Sequence, residues 1–174
     1  MTTQKQTFEA LKAEFGYKNI MQAPKITKII VTSGVGSVKD KKKIELIEKR
    51  LATITGQAPA KRQVKKSIAN FKTRRGDLAG FQITLRGARA KAFFDKLIHI
   101  VFPRVKDFRG LSPKAFDAMG NITIGLKENN VFPECSDEDA KDLFGLAINI
   151  STSAKSAKEA EGLLRHLGLP LKEN

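Results

Sequence analysis

The residues able to do covalent or metal chemistry in this 174-residue chain are few and scattered. Cys135 is the only cysteine, so no disulfide can close within the chain, and a reducing compartment is its natural setting. It reads as a small hydrophobe rather than a reactive thiol. His99 lies among Leu97, Ile98, Ile100 and Val101, and His166 lies beside Arg165. Neither has a histidine or cysteine at the spacing a zinc site needs. No serine or cysteine stands in a nucleophile-elbow or papain-like context. Gly34-Val35-Gly36 follows a strand and precedes a helix, but the third glycine of a dinucleotide fingerprint would fall on Lys39. There is no Gly-Lys-Ser/Thr phosphate loop either. These residues predict no enzyme, no metal and no cofactor.

What the chain has in quantity is positive charge. Thirty-two Lys and Arg stand against 18 Asp and Glu, a net +14 at neutral pH, and a polyanionic partner is the economical reason to keep it. An anionic membrane could supply the same countercharge. However, no apolar run approaches the roughly 18–20 residues of a spanning helix, and Met1 to Phe15 has no continuous apolar stretch of the secretory kind. The charge is also segregated. Between Lys49 and Gly76 there are nine cations (Lys49, Arg50, Lys61, Arg62, Lys65, Lys66, Lys72, Arg74, Arg75) and no acid. Phe71 lies inside that run, and Gly76 and Gly80 suggest a mobile basic loop over about residues 71–81. From Glu128 to Asp142 the balance inverts, with Glu128, Glu134, Asp137, Glu138, Asp139 and Asp142 facing only Lys141. That acidic loop serves either solubility or the docking of a basic protein.

The elements that must position these charges follow from periodicity. Phe8, Leu11 and Phe15 recur at helical spacing before Gly16, and Lys25 to Ser33 is β-rich. Ile44, Ile47, Leu51 and Ile54 stripe a helix from Asp40 to about Thr55, stopped by Gly56. Strand character returns at Phe81 to Arg86. A helix follows from near Ala88, striped by Phe93, Leu97, Ile98 and Val101 and ended by Pro103. Residues 104–120 read as irregular, Asn121 to Lys127 and Leu146 to Thr152 as strands. A last helix starts at Ser156, with Glu159 completing a capping box. The order predicts an α+β fold in one domain, 1–174: a single, mainly antiparallel sheet with helices on one face.

The strands alternate with period two. Phe81, Ile83 and Leu85 point one way and Gln82, Thr84 and Arg86 the other; Asn121, Thr123, Gly125 and Lys127 alternate with Ile122, Ile124 and Leu126; Ala147, Asn149 and Ser151 alternate with Leu146, Ile148 and Ile150. The second set holds amides, hydroxyls and cations with no carboxylate. Such a face suits the phosphates, sugars and 2′-hydroxyls of RNA. Candidate RNA contacts are therefore Thr84, Arg86, Asn121, Thr123, Asn149 and Ser151, with Lys61, Arg62, Lys65 and Lys66 as phosphate partners.

In order along the chain stand Phe15-Gly16-Tyr17-Lys18-Asn19, Ile54-Thr55-Gly56-Gln57, Lys65-Lys66-Ser67-Ile68-Ala69-Asn70-Phe71-Lys72 and Thr84-Leu85-Arg86-Gly87. Phe102-Pro103-Arg104-Val105, Asp107-Phe108-Arg109-Gly110, Ser112-Pro113-Lys114, Phe116-Asp117, Phe132-Pro133-Glu134 and Leu167-Gly168-Leu169-Pro170 continue the series. Together they make the chain resemble, over nearly its whole length, the 5S-rRNA-binding family of the bacterial large ribosomal subunit, its fifth protein. The resemblance implies a cytoplasmic, ribosomal, non-catalytic protein whose sheet holds 5S rRNA in the central protuberance beside other 5S-binding ribosomal proteins. It implies rRNA contacts at Gln57 and Thr84, and at Thr32, where the family usually has Asn. It also implies a loop, here Phe71, Lys72, Arg74, Arg75 and Gly76, that reaches P-site tRNA, and a bridge to a basic protein of the small-subunit head. Lys61-Arg62-Gln63-Val64 departs from the family's more frequent Thr-Arg-Ala, displacing the cation by one position. From the residues alone, a free-standing RNA-binding regulator or chaperone is the alternative.

Overall fold

The computed structural model describes residues 4–38, 40–135 and 142–172. Its five strands are β1 (Ile26–Gly34), β2 (Ala60–Gln63), β3 (Leu78–Leu85), β4 (Ile122–Leu126) and β5 (Leu146–Thr152). They form one antiparallel sheet in the order β2-β3-β1-β5-β4. The helices are α1 (Gln4–Phe15), α2 (Lys41–Thr55), α3 (Gly87–Lys96), a single turn α4 (Phe102–Arg104) and α5 (Ala157–His166). The fold is α+β, as the element order predicts. Among the described residues no helix is long and apolar enough to cross a membrane.

The chain divides into two compact units, whose boundaries fall within strands. The first holds the described parts of Met1–Ile29, Leu85–Ile124 and Asn149–Asn174. In it α1 lies over α5. Leu11, Tyr17 and Leu163 form a buried cluster with Phe8, Phe15 and Leu167 packed against it. The two helices meet at Gly162, where a Cβ would lie 3.2 Å from the Phe15 ring. Tyr17 donates its hydroxyl hydrogen to Glu159 Oε1. Burial, and then this hydrogen bond, push the Tyr17 hydroxyl well above its ordinary pKa. The α5 cap departs from the reciprocal box expected of it. Ser156 Oγ accepts from Glu159 N at 3.3 Å, but Glu159 Oε2 accepts from Lys155 N, not from Ser156 N. The carboxylate is drawn one residue further back because its other oxygen is committed to Tyr17.

Pro103 does not end the third helix. After α3 the backbone widens into a π turn at Leu97–Val101, and Phe102 N–H bonds back to Leu97 O. Pro103, which has no N–H to give, is accommodated in the following turn, and the helical path ends only at Val105. Phe93, Phe94, Leu97, Val101 and Phe102 are buried along this path, and Phe102 stacks on Phe108 with centroids 5.1 Å apart.

The second unit holds the described parts of Ile30–Thr84 and Gly125–Ile148. Asp40 caps α2 by accepting from Lys42 N at 2.9 Å, and Gly56, in the left-handed region at φ 66°, closes it. Ile47, Leu51 and Ile54 are its buried stripe. Against α2 packs a 3₁₀ turn, Pro133–Cys135, tied by Arg50 Nη1 donating to Glu134 O at 3.1 Å; Cys135 is fully buried. Strand β3 begins at Leu78, three residues before the first clear alternation and inside the segment expected to be a loop. The cause is Gly80, buried next to buried Phe81 and opposite a register shift between Arg62 and Gln63. A glycine adds no side chain to the pattern, so the strand's start is silent.

Gly80 is also a point of close approach between β1 and β3. A Cβ there would lie 2.5 Å from Ser33 O and 3.3 Å from Gly34 Cα, all backbone. Gly80→Ala is therefore expected to destabilise the fold by roughly 1–3 kcal/mol, the usual range for overpacking. Urea denaturation followed by circular dichroism measures it; an unshifted midpoint would show that the strands can part without cost.

Candidate RNA interface

In the second unit the outward side chains of β1 and β3 are Ile30, Thr32, Gln82 and Thr84, each half-buried between buried neighbours. Thr32 Oγ1 donates to Ala147 O at 3.4 Å. Gln57, just past the α2 cap, sends Nε2 to Thr84 O at 3.4 Å. The structure thus brings together Gln57 and Thr84, two of the positions at which the resemblance implies rRNA contacts, while the Thr84 hydroxyl has no partner among the described residues. Strand β2 is exposed along its whole length. Its Arg62 Nε donates to Gln82 Oε1 at 2.7 Å, a diagonal pair, since Ala60 is the register partner of Gln82. Lys61 Nζ lies 3.0 Å from Glu48 Oε2, a surface pair of small energy that a phosphate could displace.

Beyond β2 the chain continues as a hydrogen-bonded hairpin. Val64 N bonds to Asp77 O at 2.9 Å, Gly76 N to Val64 O at 3.0 Å, and Ile68 and Thr73 exchange both backbone bonds at 3.2 and 3.3 Å. Lys65, Lys66, Lys72, Arg74 and Arg75 are all exposed on it, as is Phe71 at 74%.

The first unit carries the other polar positions. Ser151 Oγ donates to Asn149 Oδ1 at 3.1 Å, and Asn149 Nδ2 donates to Thr123 Oγ1 at 2.9 Å. This relay fixes the rotamers of three outward side chains across β4 and β5. Asn121 is used differently. Its Oδ1 accepts from Thr152 N at 3.3 Å and its Nδ2 donates to Asp117 Oδ2 at 2.8 Å, so its amide organises the turn before β4. Arg86 is exposed at the N-cap of α3. Lys28, half-buried on the outward side of β1, and Gln82 are positions that the sequence-based site set misses. Gln82 was visible in the alternation, but Lys28 was hidden by the unbroken Ile29-Ile30-Val31 run.

Within the acidic segment Glu128 is exposed, Glu134 half-buried and Asp142 half-buried; Asp137, Glu138, Asp139 and Lys141 lie outside the described residues. Among the described residues no group of three or more His, Cys, Asp or Glu is placed to hold a metal ion.

Outward hydroxyls and amides on the sheet and a cation-studded hairpin are groups whose chemistry suits a polyanion. The comparisons with known proteins agree. Residues 19–74 match the family described as Ribosomal protein L5, and residues 78–171 match the C-terminal region of that same ribosomal family. The protein "Large ribosomal subunit protein uL5" of Natranaerobius thermophilus is 49% identical over 161 residues, covering 92% of this chain and 90% of its own length. Proteins of the same description from Anaeromyxobacter sp. (strain K) and Thermotoga sp. (strain RQ2) are 45% and 46% identical, each covering 97% of this chain. The chain belongs to the ribosomal protein L5 family. It is thereby an RNA-binding structural constituent of the large ribosomal subunit, acting in translation in the cytoplasm, and not an enzyme.

The turn that presents Asn121 carries a pH dependence. Asp117 is held below the ordinary aspartate range, first by the Asn121 side-chain amide, then by the Asn121 backbone N–H, with Met119 N–H adding to both. A depressed folded-state pKa gives stability that is present above the unfolded-state value and lost as pH falls through the folded-state value. Asp117→Asn is therefore expected to lower the thermal midpoint at neutral pH, and the gap from the unsubstituted protein should close as the solution is acidified below the aspartate range. A gap independent of pH would show that the carboxylate's charge is irrelevant.

Proposed function

We propose that this chain clamps 5S rRNA in the central protuberance, working over residues 1–174 as a single ribosomal-protein domain. Lys61, Arg62, Lys65, Lys66 and Arg86 neutralise phosphates, while Thr32, Gln57, Thr84, Asn149, Ser151 and Thr123 fix the register through hydrogen bonds. Asn121 contributes its remaining amide hydrogen. The observation that carries this reading is Gln57 reaching Thr84 O, which joins two side chains from distant parts of the sequence and leaves the Thr84 hydroxyl open. The hairpin bearing Phe71, Lys72, Arg74, Arg75 and Gly76 meets P-site tRNA, and the acidic segment around 128–142 docks the basic protein of the small-subunit head. The neighbouring 5S-binding proteins complete the assembly. The resemblance of the matched blocks supports each of these partners.

Thr84→Ala is expected to weaken 5S rRNA binding by about 1 kcal/mol or more, with the fold intact because the side chain is half-exposed. A filter-binding titration at fixed salt reads this, and unchanged affinity would remove Thr84 from the interface. Replacing Arg74 and Arg75 with Gln should spare 5S affinity while loosening P-site tRNA on reconstituted ribosomes. Equal loss of both would argue against a separate tRNA contact.

A further inference from the structure

We propose that Phe71 is a stacking platform for one unpaired RNA base, held out from the protein by the hairpin beyond β2. The inference rests on the reading of this hairpin as an RNA contact and adds to it the kind of RNA it takes and the side chain that takes it.

All eleven Phe and the single Tyr are among the described residues, and Phe71 is the only one of these twelve that is exposed. At 74% it keeps most of its ring in water, with Ile68, 46% exposed, nearby on the same tip. An aromatic ring that served the core would be buried like Phe81 or Phe132, at 1% and 0%. The ring is also presented by ordered backbone. Lys72 N bonds to Ala69 O at 3.0 Å across a 3₁₀ turn, Ala69–Phe71, and Lys72 takes the left-handed conformation at φ 50° to reverse the chain. The paired bonds of Ile68 and Thr73 lock the turn from below, and Arg75 N donates to Ser67 Oγ at 3.0 Å. A platform held this way loses little freedom on binding.

Its surroundings select the partner. Lys65, Lys66, Lys72, Arg74 and Arg75 are exposed around it, and the nearby acid, Asp77, accepts from Arg74 N at 2.8 Å. Cations track a phosphate backbone, and a ring among them offers a face to a base. The bases of a duplex are stacked on each other and have no face to give, so the chemistry fits an unpaired nucleotide in a loop or single strand.

The chain has no tryptophan, so Phe71→Trp places a single indole, excited selectively at wavelengths that Tyr17 does not absorb, at the tip of the hairpin. A single-stranded RNA of mixed sequence should quench it, and a blunt duplex of equal length should bind without quenching. Phe71→Ala and Phe71→Leu should both lose about tenfold or more in single-strand affinity. Their salt dependence should match that of the unsubstituted protein, because no charge has changed. Leucine failing with alanine separates stacking from general apolar contact, and an unchanged far-ultraviolet circular dichroism spectrum shows the variants folded. Single-strand affinity unaffected in both variants, or equal quenching by duplex, overturns stacking while leaving the RNA contact standing. A blue shift on anionic phosphatidylglycerol vesicles without response to single strand overturns it in favour of a lipid surface. An unsubstituted protein that binds neither RNA overturns the stacking and the underlying reading together.

Discussion

A regular β-strand turns successive side chains to opposite faces, and this chain's architecture depends on that constraint. Phe81, Ile83, Ile122, Ile124, Ile148 and Ile150 are excluded from water at 3% exposure or less, so the residues between them are forced outward whatever their chemistry. Those intervening positions hold Gln82, Thr84, Thr123, Asn149 and Ser151. Slipping any strand by one residue would bury these polar groups and expose the apolar ones together, so the register of the core also fixes which hydroxyls and amides are displayed. The polar face needs no stabilisation of its own to stay in place.

Charge is arranged on top of this frame and not within it. Eight of the nine cations of the acid-free stretch are exposed to water on α2, on strand β2 and on the hairpin beyond it, while the half-buried Arg50 ties the Pro133–Cys135 turn to α2. The pairs that do form there, such as Lys61 with Glu48, are surface contacts of the kind that salt or a competing anion dissolves. A polyanion can thus recruit these groups without dismantling anything that holds the fold together.

Much of this was legible in the residues, for identifiable reasons. Strands β4 and β5 alternate polar and apolar side chains cleanly, and α2 carries both of its caps as Asp40 and Gly56. Four features were not legible. Lys28 lay beside a continuous apolar run, so β1 showed no phase. Gly80 contributed no side chain to the start of β3. Pro103 reads as a helix stop unless one knows that the preceding turn widens to five-residue bonding, which depends on packing of Leu97, Val101 and Phe102. For Asn121 and Glu159 the residue type announces hydrogen-bonding capacity but not its allocation. Asp117 and Thr152 absorb most of the one, and Tyr17 with Lys155 absorbs the other.

The bond from Tyr17 to Glu159 spans 142 positions of sequence, and the cluster of Leu11, Tyr17 and Leu163 spans more. A ribosome making this chain releases α1 long before α5 exists. Throughout that interval the apolar side of α1 has no lid, and Tyr17 has no acceptor. Closure of the first unit is therefore a late, topologically remote event, of the kind that slows folding because distant segments must find each other before any contact rewards the search. The first unit can close only after residue 159 has been made, and a nascent chain stalled before it would carry α1 with its apolar side uncovered.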